Sequence, residues 1–222
     1  MTCSRIVIVQ HCQSEHHVHR AAGVTLTRRQ WFNSNLTELG RRQAEAVARR
    51  LAERLQAGAC ALFSSDMPRA LQTAQVLAGV LHVEPRPSEG LREWAGVPTP
   101  TDQPDPPTDP DQPFSLFDWR EFPTGQTWRE FHQRVCTCMD ELTRDGALPI
   151  VVTHGGTASC IVAWWLRLPV DVLPERTPFA GLAGSITVLR RTKHGNPVIG
   201  RLNDTSHLEA AGLTSATGLG WS

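Results

Sequence analysis

Residues 5–17 read Arg5-Ile6-Val7-Ile8-Val9-Gln10-His11-Cys12-Gln13-Ser14-Glu15-His16-His17. Ile6 to Val9 is an unbroken run of β-branched residues, the mark of a strand buried on both faces. The run stops at Gln10 and His11, and a polar loop follows. A second stretch repeats the design in Pro149-Ile150-Val151-Val152-Thr153-His154-Gly155-Gly156. There too a buried strand ends in a histidine, and a helix start follows. In an open α/β sheet, ligands bind in the crevice outside the carboxyl ends of the strands. Two histidines placed alike at such ends fit core packing poorly and chemistry well.

The chain around these strands is ordinary for a globular protein. It has 222 residues, 40% of them apolar and 20% charged, enough for one large α/β domain. Formal net charge is zero, so no broad basic surface points to nucleic acid or an anionic membrane. No apolar run approaches the ~20 residues of a membrane span, and residues 1–20 lack the basic-then-apolar pattern of a signal peptide. The six cysteines, Cys3, Cys12, Cys60, Cys136, Cys138 and Cys160, have no framework spacing. They read as reduced thiols, and the expected location is cytoplasmic.

Taken in order, residues 12–36 show no clean periodicity and read as a long loop or short helix. Thr37 caps a helix whose apolar stripe is Ala44, Val47, Leu51 and Leu55, with Gly58 as its end. Cys60–Phe63 is a short buried strand. Ser64, Ser65 and Asp66 are the capping candidates for a helix with Pro68 in its first turn. Arg69 sits in that same turn, at the strand's carboxyl end. Another strand is expected over 82–87, followed by Leu91-Arg92-Glu93. Residues 97–113 are rich in Pro, Asp and Thr and read as a flap or loop. Phe131, Val135, Cys138, Met139 and Leu142 mark the next helix. The helix from Gly155 to Leu168 is apolar almost all round and therefore central. Residues 185–190 and 197–203 form a closing hairpin about His194-Gly195-Asn196. The expected fold is one three-layer α/β domain over 1–222, a mostly parallel sheet with helices on both faces.

Four strand ends thus supply His11, Arg69, the Glu93 region and His154. A neutral imidazole can attack phosphorus, and a guanidinium fork can hold phosphoryl oxygens. Free amides at Gly155 and Gly156 favour an anion, and a carboxylic acid can protonate a leaving alkoxide. These are the parts of a metal-free phosphoryl transfer through a phosphohistidine. His16, His17 and His19 lie close in sequence but lack a matched carboxylate or cysteine set, so they read as solvent-exposed or substrate-near and not as metal ligands. Cys138 and Arg144 have the spacing of a cysteine phosphatase, but inside an amphipathic helix, which makes the match a coincidence.

Gln10-His11-Cys12-Gln13-Ser14 resembles the Arg-His-Gly-Glu-Thr signature of the histidine phosphatase (phosphoglycerate mutase-like) superfamily. The likeness continues through Leu36-Thr37 with Gly40, Gln43 and Ala44, and through Ser64-Ser65-Asp66 with Arg69 and Ala70. It runs on through Leu91-Arg92-Glu93, Gly125-Gln126-Thr127, Thr153-His154-Gly155-Gly156 and Leu202–Leu208. The resemblance implies His11 as the phosphorylated nucleophile, Arg69 and His154 as phosphate ligands, and Glu93 as proton donor. Gln10, Ser14, His17 and the Gly155 amide would line the substrate. It implies no metal or organic cofactor, and a small phosphorylated substrate as partner; the oligomeric state is not determined.

Several positions depart from the signature. Gln10 stands in place of a phosphate-binding arginine, Cys12 of a glycine, His17 of an asparagine, and Gln126 of a frequent glutamate. Losing one preorganised donor costs about 3–4 kcal/mol of transition-state stabilisation. One remedy is His17 acting as a second cation below its ordinary pKa of about 6.5. The expected activity is phosphomonoester hydrolysis. The alternatives are a phosphoglycerate-type mutase and a phosphate-ester binding or regulatory protein that has lost turnover.

Overall fold

The computed structural model describes residues 3–55, 60–94, 118, 125–144, 146–172, 178–179 and 181–214. Among these residues six strands make one sheet: β1 (Arg5–Gln10), β2 (Cys60–Ser65), β3 (Pro85–Ser88), β4 (Leu148–Thr153), β5 (Ile186–Arg191) and β6 (Pro197–Asp204). Their order is β3-β2-β4-β1-β5-β6. The first four run parallel, and β5 and β6 close the sheet as an antiparallel hairpin. The prolines Pro85 and Pro87 fall on β3, an edge strand, where a missing N–H costs no inner ladder bond.

Alternation along β1 splits the core into two halves. Ile6 and Ile8 face α5 (Trp128–Leu142) and α6 (Gly155–Leu166), packing with Phe131, Val135, Ile161 and Trp165. Val7 and Val9 face α3 (Glu38–Ala52) and α4 (Pro68–Leu81), packing with Val47, Leu51, Ala74 and Leu77. This is the three-layer arrangement that the strand and helix patterns predict.

Several boundaries differ from the sequence-based expectation. Residues 12–36 contain two short helices, α1 (Glu15–Ala21) and α2 (Arg28–Phe32). Helix α3 ends at Ala52, well before Gly58, which lies outside the described residues. The strand expected over 82–87 starts later, because His82 adopts a left-handed conformation (φ 54°) that caps α4. Helix α6 stops at Leu166, where Arg167 (φ 59°) turns the chain. None of Ser64, Ser65 and Asp66 is the N-cap of α4; that place falls to Met67, whose side chain cannot cap. The displaced polar groups take other work, as Ser65 Oγ accepts from Met67 N and Asp66 pairs with Arg92. The flap expected over 97–113 lies outside the described residues.

Candidate active site

The sheet register itself brings the two histidines together. Gln10 on β1 pairs with Thr153 on the adjacent parallel strand β4, so the next residue of each is His11 and His154. His11 N donates to Thr153 O at 2.8 Å, and the two rings meet edge-on with centroids 5.0 Å apart. Both are buried.

The proton on His11 is placed by its neighbours. Nδ1 lies 2.8 Å from the Cys12 carbonyl oxygen, an acceptor only, so Nδ1 carries the hydrogen. The lone pair is then on Nε2, which accepts from Arg69 Nε–H at 3.2 Å. Cys12 is buried in the turn, its N–H donating to Thr73 Oγ1. Burial, then the charge of Arg69, holds His11 well below its ordinary pKa of 6.5. The result is a neutral imidazole with one defined nucleophilic nitrogen.

Arg69 is buried although charged. Its Nη1 donates to the carbonyls of Trp31 (2.9 Å) and Phe32 (3.3 Å) at the end of α2, and its plane stacks 4.5 Å over the Trp31 ring. Burial lowers its pKa to about 10, so it stays a cation at neutral pH. His154 Nε2 meets Ser65 Oγ at 2.8 Å, while its Nδ1 is buried without a partner among the described residues.

Glu93 meets the start of α6. Its carboxyl oxygens accept from Trp94 N and Gly156 N, both at 2.8 Å. A Cβ at position 156 would overlap that carboxyl group, so the first turn of α6 has glycine there for a spatial reason. Burial raises the pKa of Glu93 against the pull of those amides and of Arg69 and Arg134. Gly155 N, at the open end of α6, donates to no described residue.

The polar loop after β1 contributes more than its sequence suggests. Ser14, buried, opens α1 and orients two rings. Its Oγ lies 2.7 Å from His16 Nδ1, and its N–H donates to His17 Nδ1 at 3.2 Å. His17 therefore carries its hydrogen on Nε2 and is a neutral donor. The rings of His16 and His17 lie 5.7 and 5.3 Å from that of His11. Burial first lowers their pKa values to about 2 and about 4, followed by the His17 ring and then Arg69 and Arg20 for His16, and by Arg69 and Arg20 for His17. His17 is therefore not the imidazolium near pH 6 that the sequence suggested: in the free protein the ring stays uncharged down to about pH 4. His11, His16 and His17 bring ring nitrogens within 4.8 Å of one another, near enough for a metal ion. Two of the lone pairs are already engaged, by Arg69 on His11 and by Ser14 N–H on His17. His19 is exposed, apart from this cluster.

Gln10 makes a contact the sequence did not foretell. Its Oε1 accepts from Gly181 N at 3.0 Å, tying the end of β1 to the segment that leads into β5.

These titrations carry a stability consequence. His11, His16, His17 and His154 have folded pKa values below 6.5, so below pH 6.5 the unfolded chain binds more protons than the folded one. Each such group removes about 1.4 kcal/mol of stability per pH unit as the pH falls toward its folded value. Glu93 has the opposite sign, since its raised pKa favours the folded state as pH falls, and it offsets one imidazole at most. The urea midpoint is expected to drop markedly between pH 7 and pH 5.5. An unchanged or higher midpoint at pH 5.5 would show that these rings are protonated in the folded protein.

The pattern of the histidine phosphatase superfamily (branch 1) matches residues 6–205. The chain belongs to the histidine phosphatase superfamily. Among curated proteins it is 29% identical over 144 residues to a "Probable phosphoglycerate mutase" of Yersinia pestis, a match covering 62% of this chain and 66% of that one, just under two thirds. Among solved structures, a mycobacterial glucosyl-3-phosphoglycerate phosphatase complexed with VO3 superposes with a TM-score of 0.66 at 24% identity, over 91% of this chain and 100% of the other. A phosphoserine phosphatase variant of Entamoeba histolytica bound to phosphoserine gives 0.67 at 22% identity, over 92% and 98%. At such identities these structures share the fold, which is that of the superfamily.

Proposed function

We propose that this protein hydrolyses small phosphomonoesters without a metal ion, through a phosphohistidine on His11. The observation that carries the reading is the bond from His11 Nδ1 to the Cys12 carbonyl, which leaves the Nε2 lone pair beside the Arg69 guanidinium. The Nε2 pair attacks phosphorus in line as the ester P–O bond breaks, and Glu93 gives its proton to the departing oxygen. Water then attacks the phosphohistidine, Glu93 takes that water's proton, and the N–P bond returns its pair to the imidazole. Arg69, His154, the Gly155 amide and His17 Nε2–H supply donors to the equatorial oxygens. The phosphatases among the similar structures favour hydrolysis, while the mutase-named relative supplies the rival reading. Assay with p-nitrophenyl phosphate and a panel of phosphorylated metabolites tests both. Phosphate release without added bisphosphoglycerate is the expected result; transfer only in its presence would make the chain a mutase. Binding without either would make it a phosphate-ester sensor.

Gln10 bears on the rate. Gln10→Arg adds a second guanidinium at the strand end, but a guanidinium cannot accept from Gly181 N–H. On p-nitrophenyl phosphate, kcat/KM is expected to rise roughly tenfold if the fork reaches two oxygens. The lost bond, about 1 kcal/mol, lowers the melting temperature by about 2–4 °C. Paired rate and melting measurements check this, and a folded variant with an unchanged rate would show that position 10 does not serve the phosphoryl group.

A further inference from the structure

We propose that Arg134 is the positioning residue for Glu93, and that neutral Gln126 leaves its charge free to act on that carboxyl group; this rests on Glu93 being the proton donor. Arg134 projects from α5 and spends its donors on the backbone that carries Glu93. Nη1 donates to the carbonyls of Glu89 (2.9 Å) and Gly90 (2.8 Å), and Nη2 to those of Arg92 (3.1 Å) and Glu93 (3.4 Å). Nε donates to Gln126 Oε1 at 3.1 Å. The guanidinium lies 5.0 Å over the Phe131 ring, one helical turn earlier. Four carbonyls of one turn are thus gathered on a single planar cation, which a lysine cannot reproduce.

The rest of the turn is held from two other elements. Thr157 Oγ1 on α6 donates to Arg92 O at 3.0 Å, and Thr153 Oγ1 on β4 donates to Leu91 O at 2.9 Å. These fix the turn but bring no charge. The titratable and charged groups facing Glu93 are Arg69 from α4, Arg134 from α5 and the thiol of Cys160 from α6. Gln126 accepts from Arg134 without neutralising it. A glutamate there would pair with the guanidinium and cancel its pull on Glu93.

The two roles separate by leaving group and by pH. p-Nitrophenolate leaves without protonation, whereas an alkoxide needs the acid, a contribution typically of 100- to 10,000-fold. Arg134→Met, Arg134→Lys, Gln126→Glu and Glu93→Gln are compared on p-nitrophenyl phosphate and glycerol 2-phosphate across pH, with melting curves for each. Arg134→Met is expected to lose about 100-fold in kcat/KM, which reports only phosphoryl transfer to His11, on glycerol 2-phosphate and under threefold on the aryl ester. Arg134→Lys should retain the wild-type alkaline limb with an intermediate kcat/KM on glycerol 2-phosphate. Gln126→Glu should keep the maximal kcat/KM on glycerol 2-phosphate and move its alkaline limb upward, since it favours protonated Glu93. Equal losses of Arg134→Met on both esters, or an unmoved limb in Gln126→Glu, would overturn the proposal provided Glu93→Gln discriminates between the esters. Where Arg134→Met melts below assay temperature, Arg134→Lys and Gln126→Glu decide alone. If Glu93→Gln lowers kcat/KM alike on both esters, the proton-donor reading itself has failed.

Discussion

Replacing His11 with alanine is expected to abolish turnover, a loss on the order of 10⁴- to 10⁶-fold, the scale seen when a covalent nucleophile is deleted. Arg69, His154 and the open amide of Gly155 would remain, so phosphate-ester binding should survive in part. The fold should survive as well. The ring contributes little apolar packing, and its one backbone bond, to the Cys12 carbonyl, leaves an acceptor whose loss costs about 1–3 kcal/mol. Steady-state kinetics with a thermal melt checks the expectation. A folded His11→Ala protein with wild-type kcat would show that another group attacks phosphorus.

The second large effect is on stability. Gly40 lies in the first turn of α3, against the backbone of the loop that follows His11. A Cβ there would overlap the Gln13 carbonyl oxygen, with the Gln13 carbonyl carbon 3.0 Å away. That oxygen is itself fixed, since it accepts from Thr37 N at 3.1 Å. Backbone on both sides cannot yield as a flexible side chain would. Gly40→Ala is expected to cost about 3 kcal/mol, the upper end for forced overpacking. That corresponds to a melting point lower by about 6–12 °C for a chain of this size. Activity should fall with it, because a displaced Gln13 disturbs the turn that sets the His11 tautomer. Melting and kcat/KM on one preparation test both parts, and a variant as stable as wild type would mean the loop moves freely. By contrast, Gly79→Ala should not destabilise, since a Cβ there meets nothing within 4 Å and alanine is the better helix former by about 1 kcal/mol.

Residues whose role follows from regular structure were legible in the amino-acid sequence. His11 and His154 end two apolar strands, and parallel pairing of those strands places them side by side. Arg69 was visible because a proline marks the first turn of its helix. The hairpin of β5 and β6 was announced by its turn residues. The misses have physical causes. Helices α1 and α2 span seven and five residues, too short for an apolar period to emerge, so the turning of His16 and His17 toward His11 depends on Ser14 and could not be read in advance. Met67 as the N-cap of α4 defeats a rule based on polar side chains, because tertiary contacts had claimed Ser65 and Asp66. Arg134 sits on the polar side of an amphipathic helix, where a charge is ordinarily solvated; only the fold shows that the turn before Glu93 closes over it.

The stereochemical course at phosphorus tests the covalent phosphohistidine most directly. Two successive in-line displacements, first by His11 Nε2 and then by water, return the phosphoryl group to its original configuration. An isotopically chiral phosphomonoester should therefore give inorganic phosphate with net retention. Net inversion would mean that water attacks the substrate in a single step, and that His11 is not the nucleophile.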